Sequence, residues 1–264
     1  MEQLLEQVYP FVTIFLLVFA RVSAFFVTVP IFSYRSIPVV PRIFIALGLA
    51  GAITSVLVVP EEPLLIDRVY LLLVMKEVII GLLLGMIAFI MMSAIQIAGG
   101  FVDFQMGFAI ANVIDPQTGA QSPLLGQFFN VLAMLLLLVL DGHHLILDGI
   151  YYSYQFLPID QLILHVDDRR MAQFIVQTFT VMFVVAFQMA VPVVATLFLV
   201  DLALGITART VPQLNIFVVG FPIKIGVSFL VLSAMAVVLL TLVRKLFELM
   251  AVSMRDLMLI LGGG

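Results

Sequence analysis

Six apolar runs, each close to the length of a bilayer crossing, constrain this chain more than any other feature. They cover residues 8–29, 43–59, 69–98, 124–140, 171–200 and 225–243. A helix needs about 20 mostly apolar residues to cross the hydrocarbon core, because each residue advances its axis by only about 1.5 Å. Each run is therefore predicted as a helix. Breakers or charges bound them: Pro30 and Pro38, Pro60 and Pro63, Gly99 and Gly100, Asp141 and Gly142, Asp201, and Pro222. The second and fourth runs are at the short limit. The third and fifth are long enough to tilt or to project beyond the bilayer.

The charge content gives the same answer. Only 11% of the 264 residues are charged and 64% are hydrophobic. A water-soluble domain uses about 25% charged residues to cover its surface. The bilayer or a large protein partner must then be part of this chain's solvent, and an integral membrane protein is expected. The net charge of -4 gathers into no basic patch, so nucleic acid is not an expected partner. The absence of cysteine excludes disulfides and thiolate metal sites. With no Trp, interfacial anchoring falls to Tyr, Phe, Lys and Arg. Glu2 and Glu6 stand where a signal peptide would be basic, so the first run reads as a retained helix. No soluble domain is visible, and the longest polar connection, 141–170, contains apolar pieces of its own.

Residues 244–261 have a helical period. Arg244, Glu248 and Arg255 share one face, and Leu246, Met250, Met254 and Leu257 take the opposite one. This predicts an amphipathic helix lying on a membrane surface or against a partner. Orientation is unresolved by charge. With the N-terminus outside, the inner loops would hold Arg35, Arg42, Arg209 and Lys224, and the outer segments Arg68, Arg169, Arg170, Arg244, Lys245 and Arg255. Neither orientation satisfies the positive-inside tendency. Spans that do not all lie in lipid would explain this.

Isolated charges inside apolar runs must face protein or water, since each would cost roughly 2.5–3.5 kcal/mol in hydrocarbon. Arg21, Lys76 and Glu77 are of this kind. They read as interhelical salt bridges that fix assembly, or as a polar lining or proton relay. Lys76 and Glu77 are sequence neighbours, point about 100° apart on a helix and are not expected to pair with each other. Gly81 and Gly85 have the spacing that lets another helix approach closely, and Gly48/Ala52 and Ala46/Ala50 repeat it.

The stretch from Asp141 through His143 and His144 to Asp148 collects imidazoles and carboxylates. Adjacent histidines splay apart on a helix and a third firm ligand is missing, so no metal is expected there. The stretch reads as a helix end, with Gly142 making a tight turn and the histidines bonding terminal carbonyls, or tuning an interface with pH. Nucleophile elbows, zinc-protease motifs, P-loops and dinucleotide fingerprints are absent. No catalytic residue or cofactor is expected. An aspartate dyad from Asp103 and Asp115 is the nearest approach to an enzyme.

Residues 99–130 fit neither lipid nor water. Asp103 and Asp115 alone would cost about 5–7 kcal/mol in lipid. Gly99, Gly100, Pro116, Gly119 and Pro123 predict irregular backbone, which is tolerated at membrane depth only where protein or a water-filled cavity surrounds it. The front of the stretch nevertheless offers Phe101, Phe104, Met106, Phe108 and Ile110. Apolar constrictions gate pores, and Met closes around varied shapes. Two readings stand: an inserted loop that lines or blocks a passage, and a long surface loop packed on neighbouring helices.

The segments GFVDFQMGFAIAN, IDPQTGAQSPLLGQFFN, LDGHH and NIFVVGFPIKIG, in this order and spacing, resemble the FliR/SctT export-gate family of type III secretion, its flagellar members in particular. The resemblance runs over nearly the whole chain. It implies an all-α fold of membrane-associated helical hairpins: about six long apolar helices, a C-terminal amphipathic helix and an inserted pore loop. It further implies that residues 1–200 are FliP-like and 201–264 belong to a FliQ-like hairpin with its tail. The family's partners are FliP and FliQ subunits in a hetero-oligomeric gate, with FlhB, FlhA, lipid and unfolded flagellar substrates. The location implied is the bacterial inner membrane, in the flagellar basal body. In such a gate much of the helical mass is raised out of the lipid plane, which would account for the failed orientation test. The family's pore plug maps onto residues 106–123, with Met106, Gly107, Phe108, Ile110, Asn112, Asp115, Pro116, Gln117, Gly119 and Pro123 as its residues. Arg21, Lys76, Glu77, Asp103, His143 and His144 remain as polar or assembly residues. A solute or ion transporter with Lys76, Glu77 and Asp103 at a midplane site is the competing expectation.

Overall fold

A computed structural model describes residues 2–33, 37–57, 66–108, 123–162, 168–213 and 215–263, with the backbone alone at 2–8 and 168. Every element among the described residues is helical: α1 Glu2–Thr28, α2 Val39–Val56, α3 Arg68–Met106, α4 Leu124–Val139, α5 Gly142–Phe156, α6 Asp168–Thr210, α7 Ile216–Ala234 and α8 Ala236–Gly262. Helices are what apolar runs must form in lipid, because a helix satisfies its own backbone groups. Five of them (in α1, α2, α3, α6 and α7) are long and apolar enough to cross a membrane, and α4 with α5 makes a sixth if the pair is one broken span. The all-α expectation with about six long apolar helices is met.

Three predicted boundaries are overrun. Helix α3 continues through Gly99 and Gly100 to Met106, so the front of the 99–130 stretch is helical rather than irregular. The missing Cβ atoms are used for approach instead: Gly99 abuts the backbone of Gly126 on α4, and a Cβ on Gly100 would lie 3.3 Å from Pro123. Helix α6 passes Asp201 and runs to Thr210. Helix α7 begins at Ile216 and contains Pro222, so this proline does not bound it. A proline frees one carbonyl, which membrane helices tolerate. The run 225–243, predicted as one helix, is divided at Met235 between α7 and α8. No Pro or Gly marks that junction, and the hydrogen bonds Met235 N–H to Val231 O and Leu239 N–H to Met235 O carry the ladder across it.

The chain forms two compact units. The first comprises Met1–Met91, Asp141–Thr178 and Leu249–Gly264. Within it α1 and α3 approach closely because Gly81 lies against the carbonyl of Arg21 and Gly85 against Thr28. The predicted close-approach spacing at these two glycines is confirmed. On α2 the pattern is split: Ala46 and Ala50 are buried, whereas Gly48 has nothing near it. Tyr70 Oη donates to the carbonyl of Thr13 at 2.8 Å and ties the start of α3 to α1.

The end of α8 belongs to this unit. Met250, Met254 and Leu257 are buried there while Arg255 is exposed, and in the part of α8 that belongs to the second unit Leu246 is buried while Arg244 and Glu248 are exposed, as the helical period predicts. The occupant of the apolar face is this chain itself, not a membrane surface or a foreign partner. Met254 packs where Gly149 of α5 leaves room, and Gly262 lies against the carbonyl of Phe156.

The second unit comprises Met92–Leu140 and Phe179–Glu248. Ile95, Ala98, Leu125, Ala133 and Leu137 are buried there, as are Ala186, Ala190, Val193 and Leu197 at helical spacing on α6. Helix α7 differs: Phe217, Val218, Phe229 and Leu230 are all exposed.

Candidate functional site

The candidate site is built where α3 ends and α4 begins. Gly107, at φ 91°, adopts the left-handed conformation that glycine enters without steric cost. Its N–H donates to the carbonyl of Phe104 at 3.1 Å, and the Phe108 N–H donates to that of Asp103 at 3.0 Å. This pair of bonds is a Schellman cap, which satisfies the last carbonyls of a helix and turns the chain aside. Phe108 then meets Phe221 of α7 edge-to-face, with ring centroids 5.9 Å apart. Met106 is fully buried.

On the far side of segment 109–122, Pro123 occupies the N-cap of α4 and offers no capping side chain. Asp103 replaces it. Its Oδ2 accepts from the Leu125 N–H at 2.9 Å, one of the orphan donors at a helix start. The main chain of Asp103 thus holds the entry to the segment and its side chain holds the exit. One oxygen of this buried carboxylate is thereby paired, and Oδ1 has no hydrogen-bond partner among the described residues; Asp115, the other member of the aspartate dyad, lies outside them.

A second cluster braces the same place. Lys224 Nζ of α7 lies 2.5 Å from Asp201 Oδ1 of α6. Gln105 Nε2 donates to the other Asp201 oxygen at 3.0 Å, and Lys224 reaches the Gln105 carbonyl at 3.4 Å. Sequence reasoning missed this set. The available signal was one isolated charge in each of two neighbouring apolar helices, of opposite sign. Ile110, Asn112, Asp115, Pro116, Gln117 and Gly119 lie outside the described residues.

The first unit holds a separate buried network. Arg21 is fully buried, and its Nε and Nη2 donate to the two oxygens of Glu77. Nη1 donates to Ser153 Oγ at 2.8 Å, Nη2 also to the Leu157 carbonyl at 2.9 Å, and the guanidinium lies 3.9 Å from the centre of the Tyr154 ring. Lys76 donates to the carbonyls of Pro158, Ile159 and Gln161. Contrary to the sequence expectation, Lys76 also pairs with Glu77, at 3.0 Å. The flexible lysine stem spans the angle between neighbouring helix positions, and low polarity draws both cations to the one carboxylate. Of the two readings for these charges, the interhelical salt bridge is realised between Arg21 and Glu77. Lys76 and Glu77 lie in one unit and Asp103 in the other.

At the start of α5, Asp141 rather than Gly142 makes the tight turn, with φ 55°. His143 and His144 belong to the first turn of the helix, where N–H groups and not carbonyls are unpaired. His143 Nδ1 makes no such bond among the described residues.

The sequence signature described as "Bacterial export proteins, family 1" matches residues 12–250. The chain belongs to that family. As a family member it is 56% identical to the flagellar biosynthetic protein FliR of Bacillus subtilis, over 94% of this chain and 95% of the relative. It is 29% identical to the FliR of Escherichia coli, over 86% of each. A similarity of 29% extends to the Yop proteins translocation protein T of Yersinia pestis, over 61% of this chain and 62% of that one. Family membership and the long apolar helices together make this a membrane-associated bacterial export protein.

Proposed function

We propose that this protein is a structural, non-enzymatic subunit of the flagellar type III protein export gate in the bacterial inner membrane. It assembles with FliP and FliQ, contacts FlhB and FlhA, and lines the passage for unfolded flagellar proteins. Residues 1–200 serve as the FliP-like part and 201–264 as part of the FliQ-like hairpin. Residues 106–123 close the passage at rest. Such an assembly, with its helices facing protein more than lipid, is consistent with loop charges that favour neither orientation.

Family membership supports the assignment to export, and one observation carries the plug reading. Segment 109–122 is entered and left through a single clasp at Asp103, next to a second brace from Gln105, Asp201 and Lys224. Fixed roots are what a closing segment requires, because a plug must return to one position. The transporter reading has no comparable support, since Arg21, Lys76 and Glu77 are engaged with one another and with backbone carbonyls.

The test is removal of residues 110–122 in cells expressing the partner subunits. The expected result is an assembled complex, recovered by pull-down with FliP and FliQ, that leaks small ions. A variant that assembles, stays ion-tight and still exports removes the plug role. Failure of the intact chain to co-purify with FliP and FliQ removes the gate assignment itself.

A further inference from the structure

The first turn of α5 carries three donor side chains that neither the fold nor the export reading uses. Asp141, His143 and His144 each place a ligand atom so that all three lie within 4.8 Å of one another. The imidazole rings do not splay: their centroids are 4.1 Å apart. His144 Nδ1 is 3.6 Å from Asp141 Oδ1. Donors on a tetrahedral ion with bonds of 2.0–2.1 Å stand roughly 3.3 Å apart, so the edge from His144 to Asp141 is nearly formed.

Two further observations separate this cluster from an ordinary helix start. An aspartate at the N-cap normally accepts from the N–H two or three residues on. Asp141 makes no side-chain cap bond and presents its exposed carboxylate to His144 instead. His143, half-buried, has a buried Nδ1 with no hydrogen-bond partner among the described residues. A ring held only for packing normally has such an atom paired.

We propose that Asp141, His143 and His144 form an open site for a divalent transition ion of the zinc class. Two imidazoles and one carboxylate select zinc, nickel or copper over magnesium or calcium, which take all-oxygen sets. Three protein ligands leave a position for water, as the exposure of Asp141 and His144 allows. The site stands independently of the export assignment.

The full-length chain, free of added histidines and stripped of metal, is titrated with Zn²⁺ against a colorimetric chelator. The expected result is one ion per chain. Affinity falls by about tenfold or more in each of His143→Ala, His144→Ala and Asp141→Asn, and is unchanged in His165→Ala. Co²⁺ in place of Zn²⁺ gives visible bands that vanish in His144→Ala. The elution position of each variant on size exclusion confirms that the fold is retained. No Zn²⁺ held against the chelator, affinity in either α5 histidine variant equal to that of the unaltered chain, or loss that follows His165→Ala overturns the site.

Discussion

Asp103 caps a helix to which it does not belong: its carboxylate accepts from the N–H of Leu125, across a gap of 22 residues. The same residue's carbonyl accepts from Phe108. Replacing Asp103 by Ala strands a buried N–H and should lower stability by about 1–3 kcal/mol. Asp103→Asn keeps a neutral acceptor and should lose less. Thermal unfolding of the purified chain in detergent checks the order, and equal losses would remove the capping role.

Glu77 is shared by two cations, so its removal should be worse than removal of either. Breaking a buried pair by deleting one partner costs about 3–5 kcal/mol. Glu77→Met leaves both Arg21 and Lys76 bonded to neutral groups but without their shared counter-charge, and is expected at or beyond the top of that range. Arg21→Met leaves Lys76 on the carboxylate and is expected below it. Unfolding midpoints of the two variants, compared under one condition, decide this.

Asp201 and Lys224 are partly exposed, which limits their contribution. A double-mutant cycle with Asp201→Asn and Lys224→Met should give a coupling of about 1 kcal/mol or less. The exchanged pair, Asp201→Lys with Lys224→Asp, should recover much of the loss of either charge reversal. No recovery would mean that the Gln105 contact, and not the ion pair, holds the corner.

Gly81 and Gly48 look alike in sequence and should respond oppositely to the same change. A Cβ at Gly81 meets the carbonyl of Arg21, so Gly81→Ala must separate α1 from α3 at a cost of about 1–3 kcal/mol. A Cβ at Gly48 meets nothing within 4 Å, so Gly48→Ala should be neutral or slightly stabilising. Unfolding midpoints of both variants test the contrast.

The sequence is a good guide where one residue type has one physical outcome. Buried charges had to find partners, and Arg21 and Glu77 did. The amphipathic period of the tail fixed which side of α8 is buried. It is a poor guide where a neighbour decides. Gly99, Asp201 and Pro222 all resemble helix ends, yet each lies inside a helix. A facing glycine explains the first and a facing lysine the second, and a membrane helix tolerates the third. Asp103 has the look of a pore-lining or catalytic charge, and nothing local to it announces a cap for Leu125. At Asp141 the turn was legible, but the residue carrying it was not, because Asp as well as Gly tolerates the left-handed region.

The bare flank of α7, with Phe217, Val218, Phe229 and Leu230 turned outward, sets the terms on which any of these energies can be measured. A surface of that kind has no stable reference state in plain buffer. Whatever covers it, acyl chains or neighbouring subunits, enters the folding equilibrium as a ligand, by mass action. An unfolding midpoint for this chain is therefore a property of a mixture and acquires meaning only when the concentrations of lipid and of each companion subunit are stated beside it.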